Sequence, residues 1–178
     1  MSVPSTGAAG TAAPPPASPI RLEFAQKAFI LDAAGRLLLV RKAASDPFQP
    51  GRWDVPGGRL EVAHDLDLDD HIRREVWEEV GLKVDPGPPF HLWQWFMPDS
   101  RAAGRAGAGG GHPAQVRVVA TARACRAVST EVTGAHRTAD DHLGEPAWVP
   151  LDRLGAYELI PSLRPVVRAF LRLRADDG

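Results

Sequence analysis

Glu75, Glu78 and Glu79 stand at i, i+3 and i+4, so on a helix their carboxylates project from one face. Like charges at this spacing repel by about 0.2–0.5 kcal/mol per pair, and something must solvate or neutralise them. A hard divalent cation would do so, and oxygen-only ligands favour Mg2+ or Mn2+ over zinc. No Cys/His cluster competes: Cys125 is the single cysteine, and His64, His71, His112, His136 and His142 have no metal-binding spacing. The plain alternative is a solvated acidic face balanced by Arg73 and Arg74, and the helix taken alone favours it.

The elements that must position these carboxylates are legible around them. Leu68, Ile72, Val76 and Val80 recur every four residues, which predicts a helix over Leu68–Val80 that Gly81 stops. Before it, Trp53-Asp54-Val55-Pro56-Gly57-Gly58 forms a rigid turn whose two glycines let backbone approach a ligand or ion closely. Lys27–Asp32 and Arg36–Arg41 flank Asp32-Ala33-Ala34-Gly35 as a hairpin. His91–Met97, Gln115–Ala127 and a short Ala147–Val149 read as further strands. A last helix over Ser162–Arg174 carries Leu163, Val166, Val167, Phe170 and Leu171 at helical spacing. The order is mixed α and β.

At 178 residues the chain suits a single domain, here 20–178. Lys+Arg of 21 against Asp+Glu of 22 leaves no basic field for a stable nucleic-acid complex. One cysteine makes no intramolecular disulfide, so a reduced compartment, the cytoplasm, is the expectation. Residues 1–19 form an uncharged Ala/Pro-rich leader that reads as disordered and lacks the basic start and apolar stretch of a signal peptide. No apolar run approaches the roughly 18 residues of a membrane span. The Gly/Ala-rich segment 99–113 reads as a flexible loop, a linker in preference to an active-site flap.

Joined to Arg74-Glu75-Val76-Trp77-Glu78-Glu79-Val80-Gly81-Leu82, the glycine turn resembles the Nudix box: Gly, five residues, Glu, seven residues, Arg-Glu, apolar, any, Glu-Glu, any, Gly, apolar. The second half matches at every defined position, and the resemblance extends from about Arg21 to Ala175. The first half departs from the pattern. Gly58 to Arg74 spans 16 positions where the family has 14, an insertion of two, and the family's first glutamate falls within His64-Asp65-Leu66-Asp67, where Asp65 is the nearest substitute.

The resemblance implies an α/β/α sandwich with a mixed central β-sheet, and hydrolysis of a diphosphate linkage in a nucleoside diphosphate derivative with Mg2+ or Mn2+. The substrate would be a nucleoside triphosphate, an oxidised nucleotide or a sugar nucleotide such as ADP-ribose. By carry-over, Glu75, Glu78 and Glu79 are metal ligands, the Gly58 carbonyl is a further one, and Arg74 orients the glutamates. The base that takes a proton from the attacking water is Glu78 or Glu79, or it comes from the Gly134–Glu145 loop, where Asp140, Asp141, His142 and Glu145 lie and Glu145 is slightly preferred to Asp141. Ordinary exposed loop charges remain an equal alternative for each.

Trp93 and Trp95 would stack a nucleobase, sharing one side of a strand with Phe96 opposite, though such residues are more often core. Arg41 and Lys42 would reach phosphate or stand as solvated strand-end charges, and Asp141 is a further substrate-contact candidate. The expected partner is a small nucleotide, with no membrane, and a homodimer is compatible with the sequence. A different class of function is a nucleotide-sensing or interaction module that kept the fold and lost turnover through the insertion. A third, an isoprenoid diphosphate isomerase of the same fold, would need a catalytic cysteine, for which lone Cys125 in a strand is a poor candidate.

Overall fold

Strands form where apolar side chains can alternate between two helical layers, and here they extend beyond their most apolar cores. In the computed structural model, which describes residues 21–61, 67–98, 115–129, 131–138 and 141–176, the strands are β1 (Arg21–Leu31), β2 (Leu37–Lys42), β3 (Trp53–Asp54), β4 (Val84–Pro98), β5 (Gln115–Ala127) and β6 (Leu143–Val149). They make one six-stranded sheet in the order β3-β2-β1-β5-β4, with β6 on β2. β1 and β5 run parallel, from Arg21↔Val116 to Leu31↔Arg126, and the other pairs are antiparallel. The sheet is therefore mixed.

The hairpin and the long β5 lie where the sequence places them, but three strands begin earlier. β1 starts at Arg21 instead of Lys27, β4 at Val84 instead of His91, and β6 at Leu143 instead of Ala147. In β4 the early part contains Pro86, Gly87, Pro88 and Pro89, which lower strand propensity. Pairing with β5 overrides that, and the misfit is absorbed as register shifts between Pro86 and His91. Glu145, expected in a loop, consequently lies within β6. The leader 1–19, Asp65 as the substitute for the first glutamate, the segment 99–113 and Asp140 fall outside the described residues.

Among the described residues, two helices, α1 (Leu68–Val80) and α2 (Arg164–Asp176), and a short 3-10 helix at Leu151–Ala156 accompany the sheet. α1 begins at Asp67, whose side chain accepts from the N–H groups of Asp69 and Asp70, and ends at Gly81 in the left-handed region at φ 66°, a conformation glycine adopts without steric cost. Its Ile72, Val76 and Val80 are fully buried against Ala28, Ile30, Leu38 and Val40, each worth about 1.5–3 kcal/mol of apolar burial. The opposite sheet face packs Phe29, Leu37 and Leu39 against Val166, Val167 and Phe170 of α2. The rings of Phe29 and Phe170 lie 4.9 Å apart. These three layers are an α/β/α sandwich, as expected.

The sheet splits at one place. β1 pairs with β2 only at their turn, Leu31↔Leu37. The vacated edge of β1 is taken by the stretch after β3: Ala28 N–H donates to Pro56 O, Gln26 N–H to Gly58 O, and Leu60 N–H to Phe24 O, at 2.8–2.9 Å. Backbone groups that strand separation would orphan are thus paired, and the glycine turn is fixed where the sheet opens.

Candidate functional site

The turn lies so close to β1 that only glycine fits. Gly57 has φ 124°, and a Cβ there would run into the Gln26 carbonyl and the Lys27 Cα. A Cβ at Gly58 would collide with the Glu75 carboxylate. The first constraint is set by β1 and the second by α1, so the turn is held between strand and helix.

At this junction the helix carboxylates meet different partners. Glu79 Oε2 accepts the Gly57 N–H at 2.9 Å. Arg74, one turn earlier, reaches Glu78 Oε2 through one guanidinium nitrogen and Glu75 Oε1 through the other, each at 3.3 Å. Burial, then repulsion from Glu79, pushes the Glu75 pKa up to about 7 against the pull of Arg74. Burial likewise raises that of Glu79, against the opposing charges of Lys27 and Lys42 and the Gly57 N–H. Glu75 and Glu79 are a close, poorly solvated pair of like charges, the situation a cation relieves. Among the described residues no three His, Cys, Asp or Glu side chains converge into a ready cage, because Arg74 draws Glu78 toward itself and the Gly57 N–H holds Glu79. The donor chemistry fits a hard divalent ion: all-oxygen side chains beside a backbone turn. The Gly58 carbonyl spends one lone pair on Gln26 N–H and keeps a second.

The other residues singled out in the sequence are spread around this junction. Arg41, exposed at the end of β2, donates from Nε to Gly51 O at 3.1 Å, bracing the 43–52 loop. Asp141 Oδ2 accepts Thr138 N–H at 2.6 Å and so closes its own turn. Glu145 is exposed on β6. Trp93 and Trp95 share one face of β4 and stack at 5.8 Å on Ala25, Val118 and Ala120, while Phe96 is exposed on the other face. Trp93 Nε1 is buried with no hydrogen-bond partner among the described residues. Cys125 is buried, and burial pushes its thiol up to about 11, which leaves it without thiolate character.

Several contributors escape a reading by motif. His71, buried in α1, takes Gln26 Nε2 at its Nδ1 at 2.9 Å and turns Nε2 toward Glu75 Oε1 at 3.6 Å. Arg137 donates to Glu79 O at 2.5 Å and Gly144 O at 2.6 Å, tying the start of β6 to the last turn of α1. Lys27, in the middle of β1, forms a buried ion pair with Asp54 at 2.7 Å. A lysine centred in the run Phe24–Leu31 was the one signal open to sequence reading, because a charge is rarely buried unless it is paired.

The family model of the NUDIX domain matches residues 22–170. A MutT-like protein of Streptomyces ambofaciens is 43% identical over 51 residues, 29% of this chain and 29% of that protein. Phosphatase NudJ of Escherichia coli K12 is 32% identical over 72 residues, 40% of this chain and 44% of that protein. The matches thus span less than half the length of these curated relatives. The crystal structure of the MutT protein from Methanosarcina mazei Go1 superposes with a TM-score of 0.62 at 23% identity, covering 87% of this chain and 96% of that one, a likeness of fold.

Proposed function

Because the chain belongs to the NUDIX domain family, which accounts for residues 22–170, we propose that it is a metal-dependent hydrolase cleaving a pyrophosphate bond in a nucleoside diphosphate derivative. A nucleoside triphosphate, an oxidised nucleotide or an ADP-ribose-like sugar nucleotide is the substrate. The observation that carries this reading is the Glu75–Glu79 pair, half-buried and packed against the glycine turn. Glu75, Glu78 and Glu79, with the free lone pair of the Gly58 carbonyl, would hold Mg2+ or Mn2+. The ion supplies charge neutralisation of the diphosphate and makes an attacking water more acidic.

The remaining work falls to the chain. Water attacks one phosphorus, the bridging oxygen departs with the electron pair, and a carboxylate accepts the water's proton. Glu78 or Glu79 can take it directly. Of the later candidates, Glu145, exposed on β6, is slightly preferred to Asp141, whose Oδ2 closes its own turn with Thr138. Arg74 orients Glu75 and Glu78 through its two guanidinium nitrogens. Trp93 and Trp95 offer an aromatic surface for the base, and Arg41 a cation for phosphate.

The test is phosphate and pyrophosphate release from a panel of nucleoside triphosphates, oxidised nucleotides, ADP-ribose, sugar nucleotides and dinucleoside polyphosphates, with Mg2+ or Mn2+ and with chelator. Turnover of one class that chelator stops supports the hydrolase. No turnover, with nucleotides still raising the melting temperature, favours the nucleotide-sensing module instead.

A further inference from the structure

Lys27 has an ammonium group with three donors, and all three are used on one short stretch of chain. Nζ donates to Asp54 Oδ2 at 2.7 Å, to Gly57 O at 2.8 Å and to Val55 O at 3.3 Å. The other Asp54 oxygen accepts Val55 N–H at 2.8 Å. Lys27 is 9% exposed and Asp54 2%. Strand alternation puts Lys27 on the same side of β1 as Phe29, facing the α2 layer, and from there it reaches the turn that leads to Gly58.

Stability alone gives little reason for this arrangement. Desolvating an ammonium and a carboxylate cancels much of their attraction, and apolar residues of similar volume do as well or better. What the pair achieves is geometric. It fixes three acceptors on Asp54, Val55 and Gly57, and the same turn presents the Gly57 N–H that meets Glu79. Burial opposes the charged lysine, but Asp54, Glu79 and Glu75 outweigh it and hold its pKa above the usual lysine value, so the cation is permanent at neutral pH.

We propose that Lys27 is a positioning residue for the candidate metal centre: clamped to Asp54, it holds the 54–57 turn so that Gly57 fixes Glu79 and Gly58 abuts Glu75. The role rests on the ligand assignment made under the proposed function. Lys27 touches neither substrate nor ion, and acts through the turn.

The experiment separates clamp from ballast. Lys27→Met alone leaves the Asp54 carboxylate buried and unpaired and is strongly destabilising. The double variant Lys27→Met/Asp54→Asn removes both charges at nearly constant volume, and its melting temperature should return close to that of the wild type. Mn2+ binding, read by calorimetry or by electron paramagnetic resonance, and nucleotide hydrolysis are then measured on the folded double variant. The Mn2+ dissociation constant should rise about 10-fold and kcat fall 10- to 100-fold, the range for residues that orient metal ligands, with KM for nucleotide unchanged. Lys27→Arg gives a second reading should the double variant not fold. It keeps the charge opposite Asp54, but its planar fork cannot meet the same three acceptors, and Mn2+ binding weakens again. Mn2+ affinity and kcat within about 3-fold of wild type in the folded variant overturn the role, since orienting partners cost at least tenfold. A wild-type protein that binds no Mn2+ overturns the ligand assignment itself, and this role with it.

Discussion

Glu79 Oε2 accepts the Gly57 N–H at 2.9 Å, across 22 residues, so the last turn of α1 and the glycine turn behave as one unit. Helix and turn are each commonplace. Their contact places a half-buried carboxylate beside a backbone that no side chain can crowd, with Glu75 one helical turn away.

Replacing the helix carboxylates by amides tests their part in chemistry. Glu78→Gln and Glu79→Gln each remove a ligand charge at nearly constant shape, and in the second variant the new amide oxygen can still accept the Gly57 N–H. Each should lower kcat by about 100-fold, about 2.7 kcal/mol of barrier, while circular dichroism shows an intact fold. Glu145→Gln should lose a comparable factor if it is the base, about 100-fold or more, whereas Asp141→Asn should change kcat little. Unchanged rates in both helix variants would sink the ligand assignment.

The two glycines should respond differently to alanine. At Gly57 the added Cβ meets fixed backbone of β1 at a φ of 124°, so Gly57→Ala should cost about 2–4 kcal/mol in urea denaturation. At Gly58 it meets only the end of the Glu75 side chain, which can swing away. Gly58→Ala should therefore stay within about 1 kcal/mol of wild type and still lose activity, because Glu75 is displaced from the junction. Equal stability losses would contradict this division.

Trp93 and Trp95 present a shared face on β4. If a nucleobase stacks there, Trp95→Ala should raise KM by about 5- to 150-fold with kcat little changed, in line with about 1–3 kcal/mol per stacked base. Steady-state kinetics on the preferred nucleotide measures it. A lower kcat at constant KM would place the tryptophan in the scaffold instead.

Helix α1 was legible to the residue, because a four-residue apolar repeat and a terminal glycine agree. β5 was legible for the same reason of local consistency. The early part of β4 was not, since Pro86–Pro89 oppose a strand locally and only pairing with β5 imposes one. The glutamates and the glycine turn were visible as a motif. Their neighbours Lys27, His71 and Arg137 were invisible as a group, because their contacts with Asp54, Gln26 and Glu79 span 27, 45 and 58 residues of sequence and exist only once the chain has folded.

Glu75 makes stability and metal binding depend on pH in opposite senses. Its carboxyl is raised from an ordinary 4.5 to about 7 in the folded, metal-free chain, first by burial and then by Glu79. Between these values the folded state holds a proton that the unfolded state has released, so stability must fall as pH rises through the window. Below it both states are protonated, above it both are ionised, and this group contributes no further slope. The change is on the order of 2–3 kcal/mol, and urea denaturation in chelator between about pH 5 and about pH 8 measures it. Glu75→Gln should make the profile shallower, leaving the slope that the likewise raised Glu79 contributes. A divalent ion competes with the same proton, so Mg2+ or Mn2+ affinity should strengthen as pH climbs through about 7, and added metal should reverse the loss of stability. A wild-type profile that runs parallel to that of Glu75→Gln across this window would show that the Glu75 carboxyl is not raised in the folded protein.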